Sequence, residues 1–425
     1  MASIYQGIKS TTILARQTGL GAGATSATGK QKLRVVSSTM NLQKETYQSN
    51  EIRPDQQVAD FRHGAVQTSG TISAEISPKA NQLFLSDVVR KEFAAVSGAS
   101  LTTLAIASQT VSSGIATITG TTTTFLTLLR VGMVCSFSNS GTGIHATNVN
   151  NRFVILSATN TVITAKAIGG TDLVANAGAA TGATIVVHGM VTFVPETSHT
   201  NHYYCLEKFY TDDAVRISEL YTDVRPTNAQ VKIQSNGMAT VDFPLIGLGM
   251  TKTVPTTNTD FQITSPAATP TYGIEAGANG VIVVDGVISG IVTGIDFDIN
   301  GNVTAADGVV GSVNRPDVFR GKIGVTGTIT AHFDTVGALA MQNAFINETA
   351  ITIIVVLSAE NTPTTDFVSF TMPRVKLGGA DVDFTEGGMK RTFPFTAIKN
   401  EVATATSGLE LTTIQIQDSQ AITVV

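Results

Sequence analysis

Apolar and polar residues alternate one for one along residues 66–76, the pattern of a strand buried on one face. Just beyond it the spacing lengthens to that of a helix. Ala80, Leu83, Phe84 and Val88 share one helical face, Ser77 stands where a capping acceptor belongs, and Pro78 fits the first turn. The same succession returns near residue 330, with Asp334 as the capping residue and Val336, Leu339, Ala340 and Ala344 as the apolar stripe. Strand patterning also covers 32–46, whereas 47–60 is polar, contains Pro54 and reads as a long loop. Between 93 and 188, short strand-like runs at 114–119, 133–137, 152–157, 162–165 and 184–187 alternate with Gly, Asn and Ser turns, which predicts a small β-barrel. Residues 1–30 are small and polar, and are expected to form a mobile arm that orders only on contact.

The strand and helix unit is written twice. Phe61-Arg62-His63-Gly64 precedes Gly70-Thr71-Ile72-Ser73-Ala74, and Phe319-Arg320-Gly321 precedes Gly327-Thr328-Ile329-Thr330-Ala331, with one offset, 321 − 64 = 327 − 70 = 257. Arg53-Pro54-Asp55 leads into the first copy and Arg315-Pro316-Asp317 into the second. A further shared signature, Gly237-Met238 before Phe243-Pro244 and Gly388-Met389 before Phe393-Pro394, has the offset 393 − 243 = 150. The first copy therefore carries 257 − 150 = 107 extra residues after its helix, the size of a small inserted domain. The expected plan is an arm at 1–30, a first unit from 31–95 and 190–252, and an exterior inserted barrel at 96–189. A Pro/Thr-rich linker at 253–279 and a second unit at 280–425 complete it. The fold class is mainly β: two tandem barrel or sandwich domains, each with one packed helix, plus the inserted small β-barrel.

Composition narrows the function. Charged residues are 14% of 425, glycines number 39, and the net charge of −5 argues against a grip on nucleic acid built from clustered Lys and Arg. Cys135 and Cys205 are too few for a disulfide framework. The first nineteen residues lack an apolar h-region, and the longest apolar run, 351–357, is broken by Thr352, so neither secretion signal nor membrane span is expected.

Candidate chemistry is sparse. Residues 23–30 have glycines and a Lys, but Ala24 and Gln31 stand where a phosphate-binding loop needs Gly and Ser or Thr. Asp296, Asp298, Asn300 and Asp307 follow the spacing of a calcium loop around Gly301, yet their flanks alternate like strands and Asn300-Gly301 suits a two-residue hairpin turn, the preferred reading. His199, His202 and Cys205, with His188 nearby, have zinc-like spacing, but strand alternation divides them between faces. No serine has a nucleophile-elbow context, and no cofactor or enzymatic activity is expected. Between Lys252 and Arg315 the chain has no Lys or Arg, whereas Asp260, Glu275, Asp285, Asp296, Asp298 and Asp307 fall there; the plain reading is a solvated surface that aids solubility, and the sharper one is that part of the run faces a channel whose polyanionic cargo must not stick.

Ile52-Arg53-Pro54-Asp55 through Gly64, Thr68-Ser69-Gly70-Thr71-Ile72, the segment from Val131-Gly132 through Arg152-Phe153-Val154-Ile155, and residues 294–331 together resemble the major tail tube proteins of long-tailed (siphovirus-type) bacteriophages. The closest likeness is to the duplicated family often called phage tail tube protein 2. The resemblance implies a structural virion protein of two tail-tube domains that polymerises into stacked rings, the conduit for double-stranded DNA ejection. A duplicated chain then needs three copies for a pseudo-sixfold ring. It implies assembly in the host cytoplasm and no membrane. Expected partners are copies of the chain, a tape measure protein, the tail terminator and distal tail proteins, and DNA that passes without tight binding. The polar loops 47–60 and 309–319 are expected ring-to-ring contacts, with Arg53, Asp55, Arg315 and Asp317 as candidate charges. The alternative from a different class is a glycan-binding module in which the barrel reads surface sugars.

Overall fold

In a computed structural model, which describes residues 6–96, 100–121, 125–211, 216–257, 259–383 and 388–420, the alternating stretches become strands of a mainly β molecule. One unit consists of β1 (Ser10–Arg16), β2 (Asn41–Gln48), β3 (Phe61–Glu75), α1 (Gln82–Val89), β4 (Tyr204–Thr211), β5 (Arg216–Pro226), β6 (Asn228–Gln234) and β7 (Thr240–Gly247). The other repeats the order with β8 (Val281–Val284), β9 (Val292–Asn300), β10 (Gly324–His332), α2 (Gly337–Ile346), β11 (Ile351–Ser358), β12 (Phe367–Leu377), β13 (Asp381–Asp383) and β14 (Lys390–Ala397).

The two units share pairing partners and register. Asn41 lies opposite Ser69 across β2 and β3, and Asp298 opposite Thr326 across β9 and β10, both strands moved on by 257 (298 − 41, 326 − 69). Ile72 faces Phe243 across β3 and β7, and Ile329 faces Phe393 across β10 and β14, with the offsets 257 and 150. A slip of one residue would turn every side chain to the wrong face, so agreement at this level is a demanding test of likeness. In each unit an inner sheet packs on an outer one, β1–β4–β5 or β8–β11–β12. Ile72, Phe243, Ile329, Phe393, Tyr204 and Val355 belong to one core that runs through both units.

The outer sheets are covered differently. In the second unit Ile353, Val355 and Leu357 of β11 face the common core, while Ile354 and Val356 face the barrel with Val283 and Phe367. Burial on both faces explains why 351–357 is continuously apolar. The barrel closes through six strands, Ser100–Ser112, Ile115–Gly120, Val134–Asn139, Phe153–Ala158, Val162–Ala167 and Ala180–Val187. It sits so close to β12 that a Cβ on Gly132, whose φ is +84°, would lie 1.9 Å from Thr371 Oγ1.

Several expectations change. Residues 1–5 of the expected mobile arm lie outside the described residues, and from residue 6 on it is instead largely structure: Ile13, Leu14 and Ala15 are wholly buried in β1, which pairs with β4 on one side and with a short strand, Thr28–Lys32, on the other. Its small residues serve packing, since Ala24 and Ala27 lie against the first outer sheet. The 253–279 linker is a cover as well, since Phe261 and Ile263 seal that same sheet and Glu207 accepts hydrogen bonds from the Gln262 and Ile263 amides. Ser77 does not cap α1; its hydroxyl donates to Tyr272 O, and the helix begins five residues later. Asp334 does serve α2, accepting from the Ala338 amide at 2.8 Å. Most of the α2 stripe is turned outward: Val336, Leu339 and Ala340 are exposed, as is Ile346, whereas Ala344 is half-buried against the core and Ala338 and Met341 are buried. Among the described residues no helix is long and apolar enough to cross a membrane.

Candidate assembly surface

Chain folding places the inner sheets of the two units side by side. Their strands run β2–β3–β7–β6–β9–β10–β14–β13 as one eight-stranded antiparallel sheet. Its centre is the β6–β9 seam, where Gln230 lies opposite Asp298, Val231 opposite Phe297 and Lys232 opposite Asp296. Val231 and Phe297 point into the core at 1% and 3% exposure. Because side chains alternate, the other face is mainly polar, with Pro244, Ile246 and Pro394 as apolar exceptions. One cross-strand row runs Ser73, Asp242, Gln230, Asp298, Thr326 and Thr396.

The candidate calcium ligands separate on this surface. Asp296, Asp298 and Asn300 occupy alternate positions of straight β9 and interact sideways: Gln234 donates to Asp296 at 3.2 Å and Asn228 to Asp298 at 2.9 Å. Burial raises the Asp298 carboxyl, with the Asn228 bond pulling the other way. Asp307 lies beyond β9, outside any strand. The hairpin at Asn300-Gly301 does not form either. Both edges of β9 are already taken by β6 and β10, so the next short strand, Val303–Ala305, pairs with Val318–Arg320 instead. Of the acidic run, Asp296 and Asp298 alone stand on β9. Asp260 accepts from Thr256 and Thr257, Asp285 occupies a turn with φ 50°, and Glu275 is fully buried.

At its borders the sheet is unfinished. Among the described residues β2 pairs only with β3, and β13 only with β14. The hairpin arms of the two units also differ. The second arm is fastened to the first unit: Arg315 donates to Glu45 at 2.6 Å, Asp317 accepts from the Tyr203 hydroxyl at 2.7 Å, and Arg320 pairs with buried Asp87 of α1. Arg90 adds bonds to the Gly301 and Gly321 carbonyls. Beyond this contact at Glu45 the first arm projects outward, with Tyr47, Ile52, Val58 and Phe61 exposed. At its loop Arg53 and Asp55 pair with each other at 3.1 Å. Arg315 and Asp317 thus have partners inside the chain, whereas Arg53 and Asp55 lie on the surface.

The remaining candidates are dispersed. His188 meets Ser136, His202 meets Glu92 and Arg16, and Cys205 is buried in β4. Burial first, then Arg152, lowers His188 to about 4. No group of three His, Cys, Asp or Glu able to hold a metal occurs among the described residues. Residues 23–30 form turns leading into a strand, not the start of a helix. Sequence reasoning missed the inter-unit latch of Asp87, Arg90 and Arg320; the repeated Phe-Arg motif was its only trace. A family model described as phage tail tube protein matches residues 7–397, and no curated protein matches the chain.

Proposed function

The chain belongs to the phage tail tube protein family, and from that premise we propose that three copies close edge to edge into a ring whose stacked repeats line the tail's DNA conduit. Membership makes it a structural tail tube component and not an enzyme. The observation that carries the ring is the eight-stranded sheet, mainly polar on one face and, among the described residues, unpaired at both borders, which already contains one joint between like units at β6–β9. Three such sheets give 24 strands, a circumference of about 115 Å and a backbone bore of about 37 Å before tilt. That leaves room for a duplex after side chains.

The polar face, with Ser, Thr, Gln and Asp and few cations, suits the inside: a polyanion meets neither an apolar surface nor a row of Lys and Arg. Packing on an outer sheet keeps the barrel away from this face, so its bulk does not obstruct closure. The shared registers support a duplicated unit, the first comprising β1–β7 around the inserted barrel and the second β8–β14. Arg53 and Asp55 are the inter-ring charges; Arg315 and Asp317 act by holding their own arm in place. A tape measure protein in the lumen, terminator and distal tail proteins at the ends, and assembly in the host cytoplasm complete the reading. Electron microscopy of the purified chain tests it. Rings or tubes with a central hole and three chains per ring are expected, and a chain that stays monomeric at every concentration and salt would refute it.

A further inference from the structure

Resting on the ring reading, we propose the residues that close the ring: the β13 edge and the outer face of α2 receive the β2–β3 hairpin of a second copy, in the register that β6 and α1 receive β9 and its arm within the chain. The chain supplies its own template. Val382 lies opposite Arg391 as Val231 lies opposite Val241, so β13 is the counterpart of β6 (391 − 241 = 150). On the facing side β2 is the counterpart of β9, since 298 − 41 = 257. Carrying the inner seam across both relations sets Asp381 opposite Asn41, Val382 opposite Met40 and Asp383 opposite Thr39 of the neighbour.

Two further observations converge on this face. Val382 is 48% exposed where its counterpart Val231 is 1% exposed, the difference that a missing neighbouring strand would leave. Every residue of α1 is buried, beneath a second-unit arm that reaches it through Arg320 and Asp87, whereas α2 borders an open groove of 410 Å³ and shows Val336, Leu339 and Ile346. The projecting first arm brings exposed Tyr47 and Phe61, apolar surface to match. Just before β2 the Met40 carbonyl is held meanwhile by Lys208 Nζ at 2.7 Å and the Tyr221 hydroxyl at 3.0 Å, donors that occupy the edge until a strand replaces them.

A cysteine pair reads the register. Asn41→Cys with Asp381→Cys falls at a non-hydrogen-bonded position by analogy with Gln230 and Asp298, where Cα atoms approach to about 4.5 Å, within disulfide reach. Native Cys135 and Cys205 are buried and do not compete. After assembly under reducing conditions and mild oxidation, most chains should appear as covalent dimers and trimers, with nothing beyond the trimer. The control, Asn41→Cys with Val382→Cys, places the thiols on opposite faces and should remain uncrosslinked. Rings by microscopy without crosslinks, or with equal crosslinks in the control, would overturn this seam and leave the ring standing. A chain that stays monomeric would overturn both.

Discussion

Glu275 is a carboxyl group without a partner: fully buried where the covering segment crosses between the units, neither of its oxygens is hydrogen-bonded among the described residues. Burial, then the nearby Asp418 and Asp366, pushes it up to about 9. Burial likewise raises Asp418 to about 7, and raises Asp87 to about 6 against the pull of Arg320 and Arg225. Between about pH 4 and its own raised value each holds a proton that the unfolded chain has released, so their contribution is full below about pH 4 and is lost as pH rises through 6 to 9. Thermal unfolding should therefore show falling stability between pH 5 and 8. Glu275→Gln should flatten that slope, which for one group is at most about 1.4 kcal/mol per pH unit. A rising profile, or an unchanged one in the variant, would contradict the assignment. The same physics governs Arg320. Its loss in Arg320→Ala strands Asp87 and should cost about 3–5 kcal/mol near neutral pH, less near pH 5, where the carboxyl can take a proton. Arg62, in the projecting first arm and 80% exposed at its side chain, should be nearly neutral to isolated-chain stability when replaced by Ala. Denaturant titration of both variants checks the contrast. The Phe-Arg motif was legible as a repeat, but which copy had a buried partner was decided by chain packing that no local pattern records.

Helices α1 and α2 show what a hydrophobic stripe can and cannot say. Apolar spacing located both elements, and Asp334 as a first-turn acceptor was readable from its place before the stripe. The direction of the stripe was not, because Val336 and Leu339 have the same transfer preference whether the covering surface belongs to this chain or to another. Arg90, at the C-cap of α1 with φ 62°, bonds across to the second arm, a contact between units that local periodicity could not reveal. Reversed burial yields a separable prediction. Val336→Asp and Ile346→Asp alter residues 68% and 63% exposed in the isolated chain, so its unfolding midpoint should stay within the scatter of surface substitutions, about 0.5 kcal/mol. Assembly into rings should nevertheless be abolished, as read by sedimentation of the same samples. Leu83→Asp in α1, 3% exposed, should instead prevent folding. If the two α2 variants assembled normally, the α2 face would have no part in the ring.

At the scale of the whole molecule, the barrel is the piece whose role the offset arithmetic left open. A surplus of 107 residues located an insertion without giving it a role, and its packing supplies one. The barrel enters through the first unit but rests on the second, where it covers Val283, Ile354, Val356 and Phe367 and receives Gln417 of the closing segment through hydrogen bonds with the Val134 backbone. It thereby performs for the second outer sheet what the covering segment with Phe261 and Ile263 performs for the first. Excision of the barrel should uncover those four side chains at a cost of roughly 6 kcal/mol or more, comparable to the whole stability of a typical domain. The shortened chain should be recovered as aggregate. The same excision combined with Ile354→Thr and Val356→Thr lessens the bare apolar surface while keeping β-branched strand formers, and should return part of the material to the soluble fraction in size-exclusion chromatography. If simple excision gave a soluble, ring-forming chain, the barrel would be an ornament after all. The eight-stranded sheet would then owe its stability to the first unit's cover and to the common core alone.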